Sequence, residues 1–318
     1  MTAKIRHRLN GLEPDNLLAF LALLGLLRAL QRDDDLPSVR ASWSVDRPPA
    51  RPVLHLTRPE TETGLVDSVV RGLRGLAAQI DFDGRKDLRV TPAEGSVLLR
   101  EARRSEAGDV WSALVSDAVI SRDGTRLEPT PLCLMFGQGH QHFLDRVASI
   151  PRLKAPPDRG RGRAKKAISE EQAIAEALFD QWQRPDAAQS FRWDPREDVR
   201  YALRANDPTD ARTKETTQHG ANRLAAIALP LLTVAPQAPF GGRPRLAVRG
   251  GGRDASGRIT FSWPIWRDPA DLSCVCHLLD HPRLDDAKIR QALGIVEQRV
   301  ATRVANGKFM NFTAGVAA

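Results

Sequence analysis

Carboxylates come first among the residues that could do chemistry. Metal-assisted cleavage of a phosphodiester needs several of them converging on divalent cations. One stretch, FRWDPREDVRYALRANDPT from Phe191 to Thr209, holds Asp194, Glu197, Asp198 and Asp207, with Asp210 just beyond. In a metal-dependent nuclease these four would be the catalytic set, joined by His140 or His142. Their spacing matches no metal-binding motif, however, and an aspartate before a proline is a common turn former.

The same stretch carries Arg192, Arg196, Arg200 and Arg204. The last three fall four residues apart, which puts them on one face of a short helix. Such a row can follow a phosphate backbone while Trp193 or Tyr201, the only tyrosine in the chain, stacks on a base. A structural alternative stands beside this one: the acids pair with the arginines, the aromatics enter the core, and the two Asp-Pro turns bound the segment. The readings rank in the order structural segment, nucleic-acid surface, active site.

Two further clusters offer less. GQGHQHF places His140 and His142 two apart, on different faces of a helix or one face of a strand. An acid–base pair for RNA cleavage could use them, but an ordinary loop leading into a helix explains them more simply. The glycines fit neither a dinucleotide nor a P-loop fingerprint. In CVCHLLDH, Cys274 and Cys276 are separated by one residue, too few for a zinc pair, so these two with His277 and His281 read as a helix face. No nucleophile elbow is present, and neither metal nor cofactor is expected.

The composition narrows the partner. The chain has 318 residues, 42% of them hydrophobic and 27% charged, as an ordinary globular protein does. Its formal net charge is +8, which suits DNA or RNA. Because arginine supplies most of the basic set, genome composition accounts for part of the excess. The three cysteines do not make a disulfide framework, which points to a reducing cytoplasm. The apolar run Leu17 to Leu27 follows Glu13, Pro14 and Asp15, is too short to span a bilayer, and predicts a buried helix.

The elements that must position these residues predict an α+β protein of mixed helices and short antiparallel sheets. KIRHRL, ASWSVD and PVLHLT read as strands, the last two separated by the turn RPPAR. GLVDSVVRGLRGLAAQI and VWSALVSDAVI read as amphipathic helices, and LCLMF as a strand. SEEQAIAEALFDQW opens with a Ser169–Gln172 capping box. HGANRLAAIALPLLTV is a helix interrupted at Pro230. The segment after Arg243 is a hairpin with a glycine-rich loop from Gly250 to Gly257, and LSCVCHLLD is a short helix. DDAKIRQALGIVEQRVATRVANGK reads as one long amphipathic helix ended by Gly307.

Between the halves lies PRLKAPPDRGRGRAKK. It bears Arg152, Lys154, Arg159, Arg161, Arg163, Lys165 and Lys166 against one acid. This is a flexible basic surface loop that can clamp a nucleic acid by displacing counterions. It divides an N-terminal region, 1–151, from a C-terminal region, 169–318, with 152–168 as loop or linker; the two regions could also form one compact domain.

GLEPDNLLAFLALLGLLRAL, FGQGHQHFL, FRWDPREDVRYALRANDPT with GANRLAAIALPLL, FSWPIW and GKFMNFT form an ordered set from about Leu9 to Thr313. The set resembles accessory proteins of type I-G (formerly I-U) CRISPR loci, a family found beside the signature helicase–nuclease or as an extension of it, and the large-subunit-like proteins of those loci. The resemblance implies a bacterial antiviral-defence protein acting with guide RNA, target DNA, the surveillance complex or its helicase–nuclease. It carries over no catalytic residue. The expectation is therefore a cytoplasmic, non-enzymatic accessory subunit of an RNA-guided complex. It would bind nucleic acid or bridge the complex to its nuclease, with no membrane partner. A metal-dependent nuclease and a pure protein–protein adaptor remain as alternatives.

Overall fold

The computed structural model describes residues 2–33, 36, 38–102, 109–135, 142–160, 162–197, 216–238, 242–306 and 309–318. Strand β1 (Lys4–Arg8) leads into helix α1 (Leu17–Leu30). Every residue of α1 except Arg28 is buried, as a helix apolar on all faces requires. Asn16 caps it by accepting a hydrogen bond from the Ala19 amide at 3.3 Å, which covers one of the orphan amides of the first turn.

β2 (Arg40–Trp43) and β3 (Pro52–Glu60) pair antiparallel, and β1 covers the other side of β3. Helices α2 (Glu62–Ala78), α3 (Pro92–Ala102), α4 (Asp109–Leu114), α5 (Phe143–Arg152), α6 (Glu170–Phe179) and α7 (His219–Ala228) follow. Then come β4 (Val234–Gln237), β5 (Arg245–Val248), β6 (Gly251–Arg253), β7 (Ile259–Trp266), α8 (Leu272–Asp280), α9 (Ala287–Ala292), β8 (Ile295–Asn306), β9 (Phe309–Phe312) and β10 (Val316–Ala317). A second antiparallel sheet runs β10-β8-β7-β6, with β9 also on β8; β4 and β5 form a separate pair. The protein is thus α+β.

Helix α1 is the axis of the core. On one side it meets α7 so closely that a methyl group on Gly25 would sit 1.9 Å from the Leu224 carbonyl oxygen, so only glycine fits there. On another side Phe20 stacks on Trp263 of β7, with centroids 5.7 Å apart. Buried residues from Leu9 to Phe312 form one continuous hydrophobic cluster that includes both sides of the basic loop. Among the described residues no helix is long and apolar enough to cross a membrane.

Several segments differ from their sequence-based expectation. The hairpin expected after Arg243 is divided: β5 pairs with β4, while β6, inside the expected glycine-rich loop, pairs with β7. The long helix expected up to Gly307 is the short α9 followed by the strand β8. Gly294, at φ 67°, ends the helix in a left-handed turn, and the β-branched Val296, Val300, Thr302 and Val304 then favour the extended chain that pairs with β7. VWSALVSDAVI is helical only as far as Leu114, because the Thr130 amide bonds the Leu114 carbonyl and the chain turns away. Residues 131–135 are not a strand but a buried irregular segment. Helix α3 had no sequence-based expectation.

Candidate nucleic-acid interface and the network beneath it

The stretch that begins at Phe191 is built into the interior. Trp193 is 0% exposed; it stacks on Phe191 at 4.3 Å and donates its indole N–H to the Leu132 carbonyl at 3.0 Å. It is therefore a core residue and offers no face to a base. Arg192 is only 4% exposed, with a left-handed backbone at φ 63°, and lies too deep to track a phosphate chain. Arg196 reaches the surface, but its guanidinium is shared between Glu13 and Asp15.

The carboxylates are engaged as well. Buried Asp194 receives a forked pair from Arg184, 2.6 Å to Oδ2 and 3.2 Å to Oδ1. It also accepts from the Asn16 side chain at 3.0 Å and the Arg196 amide at 2.9 Å. Glu197 accepts from the hydroxyls of Ser190 and Thr217. Both act as hydrogen-bond hubs that satisfy buried donors. Asp198, Arg200, Tyr201, Arg204, Asp207 and Asp210 lie outside the described residues, as do His140 and Arg161.

The network continues at the start of α7. Asp186 exchanges backbone hydrogen bonds with Thr217, and its Oδ2 accepts the amide of His219 at 3.0 Å. His219 is fully buried, and its Nε2 meets the Leu153 carbonyl at 2.7 Å. A carbonyl only accepts, so Nε2 carries the proton. Burial, with the Arg223 charge adding to it, pushes the His219 pKa down to about 4, which leaves the ring neutral near pH 7. Arg223 is also buried; it donates to the carbonyls of Pro151 and Lys154 and pairs with Glu170 at 2.6 Å. Burial raises the Glu170 pKa, but the bonds from Arg74 and Arg223 outweigh it and hold the carboxyl below its ordinary value. Beside His219 a cleft of about 790 Å³ opens between α5 and residues 187–189, with Asp145 and Arg152 as its charged lining residues.

On this foundation stands the basic loop. Arg159 and Lys166 exchange backbone hydrogen bonds at 3.0 and 2.8 Å, closing the segment between them into a hairpin. The Arg159 side chain is the anchor, with Asp186 at 2.7 Å on Nε and Glu176 at 2.7 Å on Nη1. Burial opposes the charge of Arg159, but those two bonds prevail and its pKa is raised. Arg152 is likewise structural: it donates to the Ala77 and Ile80 carbonyls and so caps the C-terminal end of α2. Lys154, Arg163, Lys165 and Lys166 are exposed, and among the described residues no carboxylate pairs with them. The sequence-predicted basic set is thus divided. Arg159 holds the hairpin in place and Arg152 caps α2, while Lys154, Arg163, Lys165 and Lys166 face water.

Elsewhere His142 bonds Asp87 at 2.8 Å beside the start of α5. On α8, Cys274 and His277 are exposed and Cys276 is half-buried. His277 bonds the Ser273 carbonyl, and His281 accepts from the Arg283 amide. No group of three or more potential metal ligands comes together among the described residues.

Sequence reasoning missed Asn16, Asp186, Arg223 and Glu170 as the frame of this region. One signal was present: His219, Asn222 and Arg223 interrupt a helix that is otherwise apolar. The chain matches no protein-family model and no curated protein sequence.

Proposed function

We propose that the protein is a non-enzymatic, nucleic-acid-binding subunit of a bacterial CRISPR defence system, working in the cytoplasm beside an RNA-guided complex or its helicase–nuclease. The observation that carries the binding role is the basic hairpin. Its base is fixed by the double ion pair of Arg159, and Arg163, Lys165 and Lys166 are exposed and form no ion pair with a carboxylate among the described residues. Cations left unpaired and held by a rigid base suit phosphate oxygens, because binding releases counterions without first breaking an internal ion pair. The CRISPR setting rests on the resemblance of the sequence segments. The nuclease alternative has weaker support, since Asp194 and Glu197 already satisfy internal donors.

Labelled single- and double-stranded RNA and DNA, titrated with the purified protein at about 50 and about 200 mM salt, test this reading over the range where phosphate contacts weaken most. Binding should fall steeply with salt and leave the strands intact with or without Mg²⁺ or Mn²⁺. Arg163→Gln/Lys165→Gln/Lys166→Gln should lower the salt slope by about two to three. No binding at the lower salt would refute the reading, and metal-dependent cutting would replace it with the nuclease.

A further inference from the structure

The cleft beside His219 has polar groups with nothing to hold. Asp145, Ala148, Ser149 and Arg152 fall at i, i+3, i+4 and i+7, so one face of α5 makes a whole wall. Residues 187–189 stand across from it, and fully buried His219 lines its depth. Arg152 already donates to the carbonyls at the end of α2. The side chains of half-buried Asp145, exposed Ser149 and half-buried Gln189 form no hydrogen bond among the described residues. The rest of the lining is aliphatic. Leu153 is 45% exposed there, an apolar face left open to water. At about 790 Å³ the cleft is within the range of small-ligand sites and can hold a whole nucleoside.

These walls sort their ligand. Aliphatic faces suit a flat, weakly polar body, and a carboxylate suits N–H donors while repelling phosphate. The cations lie just outside. Lys154, exposed, follows Leu153, and Pro157 of the lining stands two residues before Arg159, the anchor of the hairpin. Ala187 on the opposite wall follows Asp186, which binds that anchor at 2.7 Å. A strand whose phosphates meet Lys154 and the hairpin therefore passes the mouth of a cleft that accepts a base and refuses its phosphate.

The acid also chooses among bases. Guanine presents two adjacent donors, N1–H and N2–H, which match the two oxygens of a carboxylate. Adenine and cytosine each offer a single amino group beside a ring acceptor, and uracil sets one N–H between two carbonyls that the carboxylate repels. We propose that this cleft receives one unstacked guanine of a single-stranded nucleic acid, with Asp145 accepting its N1–H and N2–H while the backbone stays outside on Lys154 and the hairpin. The guanine chemistry stands on the cleft; the nucleic acid as its carrier rests on the function proposed above.

Neutral nucleosides test the cleft without phosphate, and labelled single strands test the carrier. Guanosine, adenosine, cytidine and uridine are titrated in turn and followed by saturation-transfer NMR. A short all-adenine strand is then compared with the same strand carrying one central guanine. Guanosine should bind about tenfold tighter than the other three, the worth of one well-matched bidentate pair. Asp145→Asn keeps the side chain's size and breaks no bond among the described residues. It should abolish that preference and favour adenosine, which an amide fits with one donor and one acceptor. Ser149→Trp, from an exposed helix position, should fill the cleft and weaken every nucleoside. The hairpin triple variant should bind guanosine as the natural protein does, yet lose the oligonucleotides. Guanosine binding that depends on Asp145, with no oligonucleotide bound, would keep the guanine site and refute the nucleic-acid function. Nucleosides bound alike or not at all, with the central guanine without effect, would overturn the site and leave that function standing.

Discussion

The region around Asp194 and the hairpin beyond Arg159 use the same residue types to opposite ends. Below, Arg184, Arg223 and Arg159 are matched to Asp194, Glu170 and Asp186, each carboxylate with two or more donors. Above, Arg163, Lys165 and Lys166 have no carboxylate among the described residues. Asp186 belongs to both, because one oxygen binds the hairpin's anchor and the other the start of α7. Pairing, rather than charge content, separates framework from surface: a buried charge must be matched internally, and an exposed one left unmatched is free to meet a ligand.

The largest effect should come from breaking the buried side. Asp194→Ala strands the Arg184 guanidinium and the Asn16 amide, and should cost about 3–5 kcal/mol in denaturant unfolding, as removal of one buried partner does. A loss below about 1 kcal/mol would mean that water already serves these groups.

Acid tests the same side more gently. The His219 pKa is depressed from an ordinary 6.5 to about 4. Below 6.5 the unfolded chain takes up a proton that the folded one refuses, so the contribution is full above 6.5 and lost as pH falls towards 4. Unfolding free energy should drop by roughly 3 kcal/mol over that window from this group. In His219→Gln that part of the slope should vanish, and an unchanged slope would place the titration elsewhere.

The smallest effect on stability belongs to the hairpin. Arg163→Gln/Lys165→Gln/Lys166→Gln should shift unfolding by no more than about 0.5 kcal/mol, while Arg159→Gln, which severs the anchor, should shift it by more. Equal shifts would erase the distinction between anchor and tip.

Much of the helical frame was legible. The apolar run of α1, the amphipathic spacing of α2 and the Ser169 cap of α6 are local signals, and each appears where the sequence puts it. The strand β8 was not, because its alternation is blurred by charged residues that also suit a helix, and its partner β7 supplies the deciding hydrogen bonds. The buried network was illegible for a related reason. Asn16 meets Asp194, and Arg74 meets Glu170, across long stretches of chain that no spacing rule connects. Arg159 and Arg163 look alike in sequence; only Asp186 and Glu176 distinguish them.

The start of α1 is fastened by partners that come much later in the chain. The Pro14 carbonyl accepts from the Trp263 indole, the Asp15 carbonyl from the Gly315 amide, and the Asn16 side chain bonds Asp194. During synthesis this greasy helix emerges before those residues and waits, unclasped, until they are made. Its apolar surface stays uncovered for that interval, and loss of Trp263 or Gly315 withdraws the clasp from a helix hundreds of residues away in sequence.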